Sequence, residues 1–127
     1  YHSIGGNTKN EKKYAKEYSL LWNLMMSLES NVVTKEEAEF MYPFDLNNKE
    51  DVVTLFDLYV KEYFLSLSRE RQDDILQAID NISLAGKEII DNFFENEFGF
   101  APHEPNNREV FLELVKSILL SYLPLSR

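Results

Sequence analysis

The chain contains no cysteine. That absence removes disulfide scaffolds, thiolate metal sites and thiol nucleophiles together, and it fits a reducing compartment. Glycine and proline are scarce, four of each in 127 residues, too few for a linker, a low-complexity tract or a collagen-like repeat. Long apolar runs are missing as well. The most apolar stretch, Val110 to Leu125, is interrupted by Glu113 and Lys116, so no membrane span is expected. Gly5-Gly6-Asn7-Thr8 leads into Lys9, Glu11, Lys12 and Lys13 with no apolar segment, which is unlike a secretory signal. Basic residues are in deficit: 13 Lys and Arg face 22 Asp and Glu, for a net charge of −9. A chain so balanced is poorly suited to wrapping nucleic acid, whose affinity rests on neutralising phosphates.

What is present is 44% hydrophobic residues, enough for one domain that removes roughly two-thirds of its unfolded surface from water. The charge is unevenly placed. Residues 31–67 hold three bases against eight acids, and residues 68–100 again hold three against eight. Residues 1–30 sum to +1 and residues 101–127 to zero. The whole excess therefore lies in the central stretch, together with 11 of the 17 aromatic residues. Those aromatics are expected to build the core beneath an acidic surface. A field of one sign attracts cationic partners and speeds their capture.

Helical period dominates the pattern, and period-2 alternation never persists. From about Asn10 to Glu29, Tyr14, Tyr18, Leu21, Met25 and Leu28 recur at spacings of four and three. Thr34 with Glu37 reads as a capping box opening a short helix that Pro43 ends. Asn48 or Lys49 opens a helix carrying Val52, Leu55, Phe56, Tyr59, Val60, Tyr63 and Leu67. Ser68 reads as the N-cap of the next, with a break at Leu84-Ala85-Gly86. The pattern resumes through Ile89, Ile90, Phe93, Phe94 and Phe98 until Gly99, which is expected to cap it. A loop follows from Phe100 to Asn107, then Asn106 and Glu109 suggest a second capping box before a final helix over residues 109–123. That helix is apolar on most of its circumference, so it is expected at the centre of the bundle. The expectation is a single all-α domain over residues 1–127, an irregular bundle of five or six helices, with residues 1–9 flexible.

Tests for chemistry return nothing that favours an enzyme. Glycine-rich phosphate loops, a Walker sequence and a G-x-S-x-G elbow are all missing. Of the two histidines, His2 lies near the terminus, and His103 sits in the proline-bounded loop beside Glu104, where a solvated role is the simpler reading. No Glu-x-x-His pair of the di-iron type occurs. Asp45 to Glu50 has the wrong spacing, and no glycine, for a calcium loop. Asp73-Asp74 and Glu50-Asp51 are adjacent acids near helix starts, where the helix dipole accounts for them. Asn81-Ile82-Ser83 matches a glycosylation sequon but falls within a helical pattern. No catalytic, cofactor or metal site is expected.

An interaction surface is the remaining candidate. Glu88, Asp91 and Glu95 fall at i, i+3 and i+7 on one helix, Asp73 and Asp80 seven apart on the preceding one, and Glu50 and Asp57 seven apart on an earlier one. These spacings stack carboxylates on single faces, and like charges so placed repel by a few tenths of a kcal/mol. Within the stripes only Lys61 and Lys87 offer compensation. Acidity of this kind suggests a basic partner.

In size, acidity, helix content and lack of cysteine, the whole chain resembles the immunity proteins of bacterial toxin systems, of the colicin and contact-dependent growth inhibition types. The resemblance implies a cytoplasmic, non-catalytic protein without cofactor. It implies a basic protein partner, a cognate nuclease toxin whose phosphate-binding surface the carboxylates would cover. A phage or plasmid anti-restriction protein that mimics nucleic-acid charge would share the acidity, but would be expected to spread its acids along an extended surface. A helical adaptor subunit would share the composition.

Overall fold

Caps, breaks and apolar period resolve into seven α-helices in a computed structural model that describes residues 13–124. They are α1 (Ala15–Met25), α2 (Lys35–Met41), α3 (Lys49–Tyr59), α4 (Lys61–Ser66), α5 (Arg69–Ala85), α6 (Lys87–Asn92) and α7 (Arg108–Ser121). A 3-10 turn, Met26–Leu28, extends α1, and a π-turn, Phe93–Glu97, extends α6. Among the described residues there is no sheet, only isolated bridges pairing Glu29 with Phe100 and Asp45 with His103. The domain is an all-helical bundle. The expected flexible segment, residues 1–9, and His2 lie outside the described residues.

Most helix boundaries follow the local signals. The Thr34 hydroxyl accepts the Glu37 amide while the Glu37 carboxylate accepts the Thr34 amide, completing the capping box. The Asn48 side chain accepts the amides of Glu50 and Asp51, and Ser68 accepts that of Arg71, so both helix starts satisfy otherwise orphaned donors. Gly86 separates α5 from α6 at φ 106° and ψ 177°, a conformation that essentially only glycine adopts without strain.

Three boundaries differ from expectation. The helix expected from residue 48 to 67 bends at Val60, which has φ −114° and divides α3 from α4. Phe56, Val60 and Phe64 are all fully buried. A straight helix would turn this four-residue series away from the core by about 40° per step, which the bend offsets. Gly99 is not a left-handed cap: Gly86 is the one described glycine with positive φ, and the preceding helix ends at extended Phe98. The cap of α7 is Asn107, whose side chain accepts the Val110 amide, rather than Asn106.

Packing joins α1 to α5, α5 to α6 and α7, and α3 to α4 and α7. The π-turn brings Phe93 and Phe98 into a stack at 5.9 Å between centroids, and Phe94, Phe100 and Phe111 continue the aromatic core at 5.4–6.1 Å. Buried polar groups are satisfied within it. Tyr18 donates to the Ile89 carbonyl at 2.9 Å and accepts from Asn92 at 3.2 Å, while Gln72 donates to the Phe64 carbonyl at 2.9 Å.

Helix α7 buries Phe111, Leu112, Val115, Ile118 and Leu119 but leaves Val110 and Leu120 about half exposed. It lies along the bundle as an amphipathic helix, instead of running through the middle wrapped on all sides. The preceding loop is laced to the first half of the chain. Ser30 donates to the Gly99 carbonyl, Ala101 to that of Leu28, and His103 to that of Phe44, at 2.8–3.0 Å.

Candidate interaction surface

The seven acids singled out by spacing divide into two groups. Asp57, Asp80, Asp91 and Glu95 each meet a side chain of α7 or its C-cap. The Tyr122 hydroxyl donates to Asp57 at 2.6 Å, Lys116 pairs with Asp80 at 2.7 Å, and Arg108 reaches Asp91 and Glu95, both at 2.9 Å. Lys87 also pairs with Asp91, one turn away on α6. Glu50, Asp73 and Glu88 are exposed.

This partnering agrees with the expected compensation at Lys87 and corrects it at Lys61. Lys61 does not pair with Asp57; its ammonium lies over the Tyr122 ring, 5.3 Å from the centroid. Arg108 and Lys116 add counter-charge at Asp91, Glu95 and Asp80. Neither was legible as a partner, because both come from a helix distant in sequence. Their positions on a helix of nearly balanced charge were the available signal.

The electrostatics follow from these contacts. Hydrogen bonds from Lys87, then Arg108, hold the Asp91 carboxyl below its ordinary range. Lys87 is raised by its bond to Asp91. For Arg108, burial opposes the charge, but Glu95 and Asp91 together outweigh it and push the guanidinium up. Its plane also lies over the Phe94 ring at 5.8 Å. Burial, reinforced by the Asp57 carboxylate, raises the Tyr122 phenol well above 10.

The carboxylates of residues 31–67 are different. Within the described residues no ion pair reaches any of them. Glu37 and Asp51 accept backbone amides, of Thr34 and Asp45 respectively. The backbone and side-chain N–H groups of Asn47 bind Asp45 and hold its carboxyl low. These bonds satisfy geometry and leave the negative charge in place. Glu36, Glu39, Glu50 and Glu62 are exposed to solvent. Beside them stand Phe40, 48% exposed, and Tyr42, 66% exposed, aromatics that composition alone had assigned to the core.

His103 is exposed and packs its ring against Tyr42 at 5.3 Å. Asn81 of the sequon lies within α5 and bonds to Gln77 and Glu17. Among the described residues, no three His, Asp or Glu side chains converge as metal ligands, and no helix is long and apolar enough to cross a membrane. Comparison with protein-family models, curated proteins and solved structures finds no match for the chain.

Proposed function

We propose that this chain is a binding protein that neutralises a basic protein partner, acting as an immunity protein toward a cognate bacterial toxin of the nuclease type. The observation that carries the reading is the unpaired acidity of residues 31–67, three bases against eight acids with no ion pair among the described residues. A nuclease presents lysine and arginine to phosphate, and carboxylates held on a folded surface can occupy the same positions. Glu50 and Glu88 are exposed, whereas Asp80, Asp91 and Glu95 have their charge answered by Lys116 and Arg108 of α7, and Asp57 accepts only the neutral Tyr122 hydroxyl. Binding is therefore proposed to centre on the α2–α4 side of the molecule, with Glu50 included, rather than evenly over the three stripes.

The test is co-expression with the product of the neighbouring reading frame, scored by protection from its toxicity and by recovery of a complex that dissociates as salt rises. Protection should be lost when Glu36, Glu39, Glu50 and Glu62 are together changed to glutamine, with folding checked by circular dichroism. Full protection by that variant would refute the acidic-surface reading.

A further inference from the structure

We propose that the face formed by the end of α2 and the end of α3 is an arginine seat: an aromatic platform within an unpaired acidic rim, which docks an arginine-bearing segment of a protein partner. The inference rests on the reading above only in taking the partner to be basic. Phe40 packs against Phe44 at 5.3 Å and Tyr59 at 6.4 Å between centroids. These contacts hold its ring in place while it remains 48% exposed. Tyr42, 66% exposed, stands two residues further on, on the other side of the helix end, against the His103 ring at 5.3 Å. Phe56, Phe64, Phe93, Phe94 and Phe111 are all essentially buried, so the fold has internal places for aromatic rings and leaves these two outside. Rigid, partly exposed aromatics of this sort present large contact area at little entropic cost, and they are the residue types that dominate interface cores.

The rim decides what the platform takes. Glu36 and Glu37 precede Phe40 by four and three residues on α2, which puts them on its side of the helix. Glu62 follows Tyr59 by three residues across the bend into α4. A guanidinium is planar and weakly hydrated: it can lie on an aromatic face while its edge donates to a carboxylate. An ammonium can also sit over a ring, as Lys61 does over Tyr122, but it has no plane to lay flat on the ring while an edge donates to a carboxylate. Anionic lipid or nucleic acid would meet repulsion from the same carboxylates, so the occupant the chemistry fits is a cationic protein segment containing arginine.

Two blocked peptides of equal length and charge, one built on arginine and one on lysine, test this by amide chemical-shift titration at low salt. The expected result is that perturbations cluster at residues 36–45 and 59–63, and that the arginine peptide binds tighter by roughly two- to fivefold. Phe40→Ala, at an exposed position, should weaken the arginine peptide more than the lysine peptide and so reduce that preference, while Tyr42→Ala, two residues on and on the other side of the helix end, should leave the preference in place; unperturbed amides elsewhere verify the fold. Equal affinity of the wild type for both peptides, or perturbations centred on α5 and α6, would overturn the arginine seat. If both peptides bind equally and Glu36→Gln/Glu39→Gln/Glu62→Gln weakens both, acidic capture survives without the aromatic seat. If neither peptide binds the wild type, both the seat and the acidic reading fail.

Discussion

Removing Arg108 is the most informative single perturbation of the fold. Its guanidinium bonds Asp91 and Glu95, both at 2.9 Å, and covers the Phe94 ring. Arg108 and Asp91 are each only 23% exposed at the side chain, whereas Glu95 is 59% exposed. The two arms therefore differ in strength. The Asp91 arm, a partly buried charge-assisted bond, is worth about 1–1.5 kcal/mol. The Glu95 arm is screened by water and contributes about 0.3–0.5 kcal/mol, and the contact with Phe94 adds about 0.5 kcal/mol. Arg108→Ala should thus destabilise the domain by about 2 kcal/mol, lowering Tm by roughly 6–10 °C. Arg108→Lys retains the charge but not the planar fork, and should cost about half as much. A double-mutant cycle with Asp91→Asn, followed by thermal and urea unfolding, isolates the stronger arm.

The same cycle has a pH signature. Asp91 has a lowered folded-state value, so its contribution is present above the unfolded carboxylate range and is lost as pH falls through the folded value. Arg108→Ala removes part of the cause of that lowering, so the Asp91 titration should move upward, with Lys87 still holding it below normal. A Tm loss under about 2 °C at low salt, where surface electrostatics are strongest, together with an unmoved Asp91 titration, would refute the claim that this arginine joins α6 to α7.

Gly86→Ala should destabilise by about 1–3 kcal/mol, read by urea unfolding. A Cβ there would meet nothing within 4 Å, so the cost comes from backbone conformation alone. Tyr122, whose phenol is raised by burial and by Asp57, should stay protonated beyond pH 10 in the ultraviolet tyrosinate titration. Its contribution is present below its unfolded value and is lost as pH rises toward the folded one. Tyr122→Phe should remove one late-titrating phenol from that curve and weaken the α3–α7 contact.

How far the sequence could be read depended on the range of the interaction. Thr34, Asn48 and Ser68 act on amides within three residues of themselves, so spacing alone located those helix starts. Gly86 likewise announced its break. The Val60 bend was invisible because neither glycine nor proline marks it. Burial of Phe56, Val60 and Phe64 together is a tertiary demand. The same distinction governs the surface. Periodicity placed acids on common faces, but Lys116 and Arg108 arrive from 36 and 17 residues away to meet Asp80 and Asp91, a pairing that helix packing determines. Exposure of Phe40 and Tyr42 was hidden for the opposite reason: composition argues that aromatics go inside, and no local rule singles out the ones that stay out.

The loop ahead of α7 carries a consequence for how the chain folds. Ser30 to Gly99, Leu28 to Ala101, and Phe44 to His103 are main-chain hydrogen bonds across sequence separations of about 60–70 residues. Helices form quickly because their bonds are local, but these three closures each require the ends of a long chain segment to meet first. Although its secondary structure is entirely helical, the molecule's rate of folding should be set by a stretch with no helix in it. Substitutions around Gly99 to His103 would then slow the approach to the native state, whereas weakened helix caps would chiefly hasten departure from it.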